Sequence, residues 1–286
     1  MKTKFLHPAL LILFFSISTF AQNDTIKKER YTAHNKGKFT ISWGGNRGYF
    51  TDSDITFKGN GYNFTVDNAK SHDKPKGWHV DYITPGRMTV PQTNFKMGYF
   101  ITDKYSISVG VDHMKYVMTQ NQTANISGEI NYPLSNPSSQ FNGSYDNTPT
   151  VMTKDFLMFE HTDGLNYVNA EFARQDDISH WFGINNTDKF QININEGFGI
   201  GILFPKTNTT LMGQERHDAF HVSGFGTSLK AGINFVFFKY FTIEADLKGG
   251  YINMPDIRTT KSSSDKASQD FFFAETIVAF GGIFRL

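Results

Sequence analysis

The stretch from Phe225 to Lys248 reads FGTSLKAGINFVFFKYFTIEADLK. Phe225, Leu229, Ala231, Ile233, Phe235 and Phe237 share one phase; Gly226, Ser228, Lys230, Gly232 and Asn234 share the other. A turn at Phe238 to Tyr240 follows. Then Phe241, Ile243, Ala245 and Leu247 alternate with Thr242, Glu244, Asp246 and Lys248. A period of two is the signature of a strand, so this is a hairpin with one apolar face. The second face decides the fold. It carries charges in mid-strand, set among Gly, Ser, Thr and Asn. A sandwich would turn that face to water. A closed barrel turns it inward, where acids and bases pair across a lumen and small residues leave them room. Asp112 and Glu171 hold equivalent places on other alternating segments. The barrel reading accounts for all six charges, and it turns Phe and Ile outward toward lipid.

The same alternation extends in both directions. Segments at about 37–50, 88–101, 105–118, 165–174, 189–204, 219–237, 241–253 and 270–286 read as eight strands. The connections 51–87, 119–164, 205–218 and 256–269 are long and polar; 102–104, 176–188 and 238–240 are shorter. Long loops at one end and short turns at the other suit an antiparallel up-and-down transmembrane β-barrel, all-β, of eight strands. Within the first connection, Ile55-Thr56-Phe57 and Tyr62 to Val66 across Gly59-Asn60-Gly61 read as a hairpin, which allows ten. Eight strands leave an interior just filled by side chains, so a plugged lumen is expected, with Asp112, Glu171, Lys230, Glu244, Asp246 and Lys248 as its charge network.

Composition sets the compartment. Met1 to Lys4 is basic, Phe5 to Phe20 is apolar, and Ala21 is small, the layout of a secretory signal peptide over 1–21. A periplasmic lead-in is expected over 22–36 and a single barrel domain over 37–286. No later segment approaches the roughly 20 apolar residues of a membrane helix. With no Cys, an exported chain needs a constraint other than disulfides, and closure supplies one. The 29 Phe and 12 Tyr sit in a chain that is polar on average, as two-faced strands require. A net charge of +1 argues against nucleic acid.

With these features the chain resembles small bacterial outer-membrane β-barrel proteins. The resemblance rests on the leader, the strands from Lys38 to Leu286, and the ending Val278 to Leu286, where Phe284 stands two residues before a final Leu286. It implies the outer membrane of a Gram-negative bacterium, both termini periplasmic, and contact with outer-membrane lipid or lipopolysaccharide and with the barrel insertion machinery. It is a likeness of architecture and spans several functions.

One sequence feature points to catalysis. His221-Val222-Ser223 places two polar side chains on one strand face, on the lipid side by parity. This is similar to the His-x-Ser pattern of PagL-type lipid A deacylases, which implies Ser223 as nucleophile and His221 as general base. The region where that family has its acid is Phe235 to Phe238 here; Glu244 points inward and Glu196 lies lower on its strand. Asp112-His113, Asp52-Ser53-Asp54 and Glu160-His161-Thr162-Asp163 offer metal ligands, read as lumen or solvated groups instead. Gly197-x-Gly199-x-Gly201 lacks the following helix of a nucleotide loop. Trp43, Trp78 and Trp181 suit interface or loop anchoring. No metal or cofactor is expected. The sequence thus points to a filled barrel with a surface-interaction or envelope-integrity role, with an acyl hydrolase at Ser223 and a narrow solute port as alternatives.

Overall fold

A computed structural model describes residues 34–75 and 92–285. The expected leader, most of the expected lead-in, Trp78 and the start of the second expected strand lie outside the described residues. Fifteen strands are formed among those described: β1 Phe39–Phe50, β2 Ser53–Gly59, β3 Tyr62–Ala69, β4 Ser71–Asp73, β5 Thr93–Phe100, β6 Tyr105–Met118, β7 Thr123–Ile130, β8 Gly143–Val151, β9 Leu157–Asp177, β10 Phe190–Leu203, β11 Lys206–Leu211, β12 His217–Phe220, β13 Gly224–Phe237, β14 Phe241–Arg258 and β15 Lys266–Phe284.

Eight of them form a ring. β1, β5, β6, β9, β10, β13, β14 and β15 pair in that order, each antiparallel to the next. β15 then returns to pair with the full length of β1, from Phe39 opposite Phe284 to Phe50 opposite Phe273. The sheet is closed, which removes the exposed edges of these strands. The three short connections lie at one end. At the hairpin between β13 and β14, Phe238 and Lys239 take the left-handed backbone the tight reversal needs, at φ 53° and 71°.

Alternation puts large apolar groups on the outer wall. Ile41, Trp43, Met97, Val109, Phe198, Ile200, Leu229, Leu247, Val278 and Phe280 are exposed around the ring. So continuous a belt is foreign to a surface facing water and suits hydrocarbon. The inward positions between them are Ser42, Asn94, Asp112, Glu171, Asn195, Lys230 and Lys248, all buried.

The long connections are not the open loops the sequence suggested. The expected hairpin forms as β2 and β3, turning at Gly61 with φ 85°. It does not enter the ring, so the ring keeps eight strands rather than ten. Instead β2 pairs with the far end of β15, at Gln269 to Lys266, and β3, β7 and β8 follow in order. The stretch 119–164 contributes β7, β8 and the start of β9, and 205–218 contributes β11 and β12. β4 adds to β6, and β11 to β9. These strands enclose a second core above the belt. Ile55, Phe57, Phe64, Tyr116, Ile126, Phe159, Leu211 and Phe271 belong to it. Phe57 stacks on Phe64 and meets Phe159 edge-on, which joins the β2–β3 hairpin to β9. Each such buried ring contributes roughly 1.5–3 kcal/mol. Ser, Thr, Asn and Asp on the outer face of these strands disguise them as polar loop.

Candidate functional site

The six inward charges of the sequence reading meet in one layer of the lumen. Lys248 donates to Asp112 at 2.6 Å and to Glu171 at 2.6 Å. Lys230 donates to Glu171 at 2.7 Å and lies 3.9 Å from Asp246. β6, β9, β13 and β14 are thereby tied across the interior. Neutral donors fill the remaining acceptor capacity. Asn94 and Asn169 give their amides to Asp112 at 2.6 and 2.9 Å, and Asn195 gives one to Asp246 at 3.0 Å. Lys248 also lies 5.8 Å from the centre of the Tyr167 ring. Glu244 is nearer the short-turn end, paired at 2.9 Å with Lys96.

Lys96 was not singled out in the sequence reading, although parity on β5 places it inward. Glu275 was missed in the same way: it holds an inward position of β15 and is wholly buried. Gly199 shows why small residues belong here. A Cβ on it would press on the Ser228 hydroxyl at 2.6 Å and fill the space beside Glu171.

Above the charges the interior is mainly apolar. Tyr167, Leu203 and Phe273 lie at the boundary, with the cap core beyond them. One polar knot sits inside the cap. Gln269 donates to Ser53 at 2.8 Å and to Tyr116 at 2.6 Å, linking β15, β2 and β6. His161 bonds Thr207 through Nδ1 at 2.9 Å, and burial pushes its pKa down to about 3. Below the cap the ring retains cavities of about 40 and 20 Å³, both lined by Lys96, Lys230 and Glu244. Spaces of that size hold a few water molecules at roughly 10–15 Å³ each.

The His-x-Ser segment differs from its expected geometry. Residues 221–223 lie between β12 and β13, so the strand foreseen over 219–237 is broken there. Ser223 is buried rather than lipid-facing, because its amide bonds Leu203 at 2.9 Å and its carbonyl accepts from Asp256 at 3.3 Å. Its hydroxyl donates to the His221 carbonyl at 3.3 Å. His221 nevertheless has a carboxylate: its Nε2 lies 3.0 Å from Asp256. That bond holds the Asp256 carboxyl below the usual carboxylate range. Asp256 was invisible in sequence, since β14 reaches it past an irregularity after Met254. Glu244 is confirmed inward by its bond to Lys96, and Glu196 pairs in register with Arg174 and Ala231, far from Ser223.

The remaining candidates have ordinary partners. His113 bonds Asn166 at 2.7 Å, Glu160 meets Lys74 at 3.3 Å, and Asp54 accepts the Asn68 amide at 2.8 Å. Among the described residues no three His, Asp or Glu side chains converge as metal ligands. Trp43 stands on the outer belt and Trp181 is exposed in the short helical turn Ser179–Phe182.

No family model matches the sequence, and no curated protein matches it. Among solved structures the chain is similar to Ail, the attachment invasion locus protein of Yersinia pestis, with 13% identity over 87% of this chain and 99% of that one and a TM-score of 0.34. It is similar to the outer membrane protein OprG of Pseudomonas aeruginosa, with 12% identity, 89% and 99% coverage and a TM-score of 0.34. It is similar to Neisserial surface protein A, with 9% identity, 86% and 97% coverage and a TM-score of 0.32. All three are small outer-membrane β-barrel proteins. The ring described above is defined by this chain's own strand pairing.

Proposed function

We propose that this chain is an outer-membrane β-barrel of a Gram-negative bacterium that presents its cap for surface interaction or envelope integrity and does not conduct solutes. The observation that carries this is the two-layer filling of the lumen: a paired charge network through the belt, then an apolar core. The outer belt supports insertion in lipid. The expected orientation puts the short turns and both termini in the periplasm and the cap outside. A surface role suits the cap because its strands continue those of the barrel, so its outer face is held on a rigid base. Recording from the purified protein in planar lipid bilayers tests the reading. Baseline current with no stable openings is the expected result, and a large steady conductance would overturn it.

The His221–Asp256 pair favours a second reading, an acyl hydrolase acting on lipid A or phospholipid with Ser223 as nucleophile. An acid that orients a histidine is one half of such a site. The buried Ser223, bonded to a backbone carbonyl rather than to the imidazole, weighs against it. Incubation with lipid A and mass analysis of the acyl chains separates the readings. Release that Ser223→Ala abolishes would establish the hydrolase, and intact lipid would remove it.

A further inference from the structure

Three cations stand side by side on the outer face of the cap. Arg258 of β14 lies opposite Lys266 of β15, and Lys266 lies opposite Lys58 of β2. Residues directly opposite on adjacent strands share a face, with Cβ atoms roughly 5 Å apart. That face is the outer one, because the neighbours Ile257, Ala267 and Phe57 are buried in the cap core. Lys58 and Lys266 are exposed, and Arg258 is half-buried. Among the described residues neither Lys58 nor Arg258 forms an ion pair, and Lys266 reaches only Asp256, at 4.0 Å. Asp256 is itself engaged by His221 at 3.0 Å. Like charges set directly opposite destabilise a sheet, so this row is a cost that the fold alone does not explain.

The row also has a defined height. Phe272, 62% exposed, is the last large apolar residue on the outer face of β15 before the cap. Beyond it that face carries Asp270, Ser268 and Lys266. Six residues at about 3.3 Å each, on a strand tilted by about 40°, put Lys266 about 15 Å above Phe272. The phosphate of a simple phospholipid sits at the edge of the hydrocarbon, well below that level. The acidic and phosphorylated sugars of a glycolipid reach it.

We propose that Lys58, Arg258 and Lys266 form a binding site for the anionic saccharide headgroup of lipopolysaccharide in the surrounding outer leaflet. The proposal rests on the orientation given above, with the cap outside. Three cations in a row match a headgroup that carries several anionic groups, and they replace the divalent ions that otherwise screen those groups. Arg258 supplies a planar fork suited to phosphate, and the two lysines supply mobile point charges. The site ties the cap to the lipid that encircles the ring.

The full chain in phosphatidylcholine discs tests this. It is compared with a triple variant, Lys58→Gln with Arg258→Gln and Lys266→Gln, and with Lys154→Gln, which removes one exposed cation between β8 and β9. Purified lipopolysaccharide is titrated in, and the amount retained on affinity capture of the protein is measured. Parent and Lys154→Gln should retain it equally, through an EDTA wash, and release it in high salt. Each row cation is expected to contribute roughly fivefold, so the triple variant should bind on the order of a hundredfold more weakly. Equal retention by parent and triple variant overturns the site. Without lipopolysaccharide the triple variant should resist urea at least as well as the parent, since the opposed charges are gone. A lower midpoint would make the row a structural element and also overturn the site. Should the triple variant not fold, Lys266→Gln alone decides, by a smaller loss of retention or by none. If phosphatidylglycerol discs or soluble polyphosphate occupy the parent's row as strongly as lipopolysaccharide, the saccharide assignment falls. The planar-bilayer recording is independent of these measurements, so failure here leaves the reading of a closed surface barrel in place.

Discussion

Single side chains in this molecule differ sharply in what they support. Lys248 bridges two carboxylates, so Lys248→Met leaves Asp112 buried without its lysine and Glu171 with Lys230 alone. A loss of about 3–5 kcal/mol is expected, read as an earlier midpoint in urea unfolding in lipid. Lys261, paired with Glu215 in full exposure, makes the contrast: Lys261→Met should leave the midpoint unchanged. His161 gives a pH dependence of its own. Buried in the cap, it stays neutral down to about 3, whereas in the unfolded chain it takes a proton near the ordinary imidazole value of about 6.5. The unfolded state therefore binds more protons between those values, and cap stability falls as pH drops through that window. His161→Gln should flatten this acid limb in hydrogen exchange of the β9 and β11 amides. An unchanged limb would assign it to other groups.

Among the elements, the cap hairpin and the ring strands answer to different cores. Phe57 on β2 packs on Phe64 and Phe159, so Phe57→Ala should cost about 3–5 kcal/mol, concentrated in the cap. Protease should then cut within residues 51–75 while the ring stays intact, visible as an unchanged heat-dependent gel shift. Simultaneous loss of both would show a single cooperative unit. The contrast also explains what was readable in the sequence. Ring strands such as β10 and β13 alternate Phe and Ile with Gly, Asn and Ser without interruption, because one face meets lipid and the other a polar lumen. Their count and phase followed directly, and with them the meeting of Asp112, Glu171, Lys230 and Lys248. Cap strands such as β7 and β8 alternate more weakly: Ala124, Ile126 and Ile130 are buried, while Thr123, Asn125 and Glu129 face outward. Read locally, Asn-Ser-Thr stretches are loop. Only pairing makes them strands: β7 lies between β3 and β8, and β2 joins that group to β15, distant in sequence. Asp256 was hidden for a related reason, since an irregularity in β14 breaks the phase that parity relies on.

For the molecule as a whole, the outer belt states which solvent the ring is built for. Leu229 lies on that belt, 56% exposed. In a lipid bilayer Leu229→Arg should cost about 2–4 kcal/mol in reversible unfolding from vesicles, whereas a water-facing position would tolerate it. A cost near zero would contradict the membrane placement. The pairing of β15 with β1 has a further, kinetic meaning. Phe39 meets Phe284 across almost the full described sequence, so the ring's last seam cannot nucleate locally. Closing so long a loop carries its entropic cost before any seam bond forms, and topologies rich in such distant pairs fold slowly. Until then both edges of the sheet stand open, and each is a template for a neighbouring chain. The assembly pathway therefore has a vulnerable interval whose length is set by one strand pair, and chaperoning is most needed during that interval.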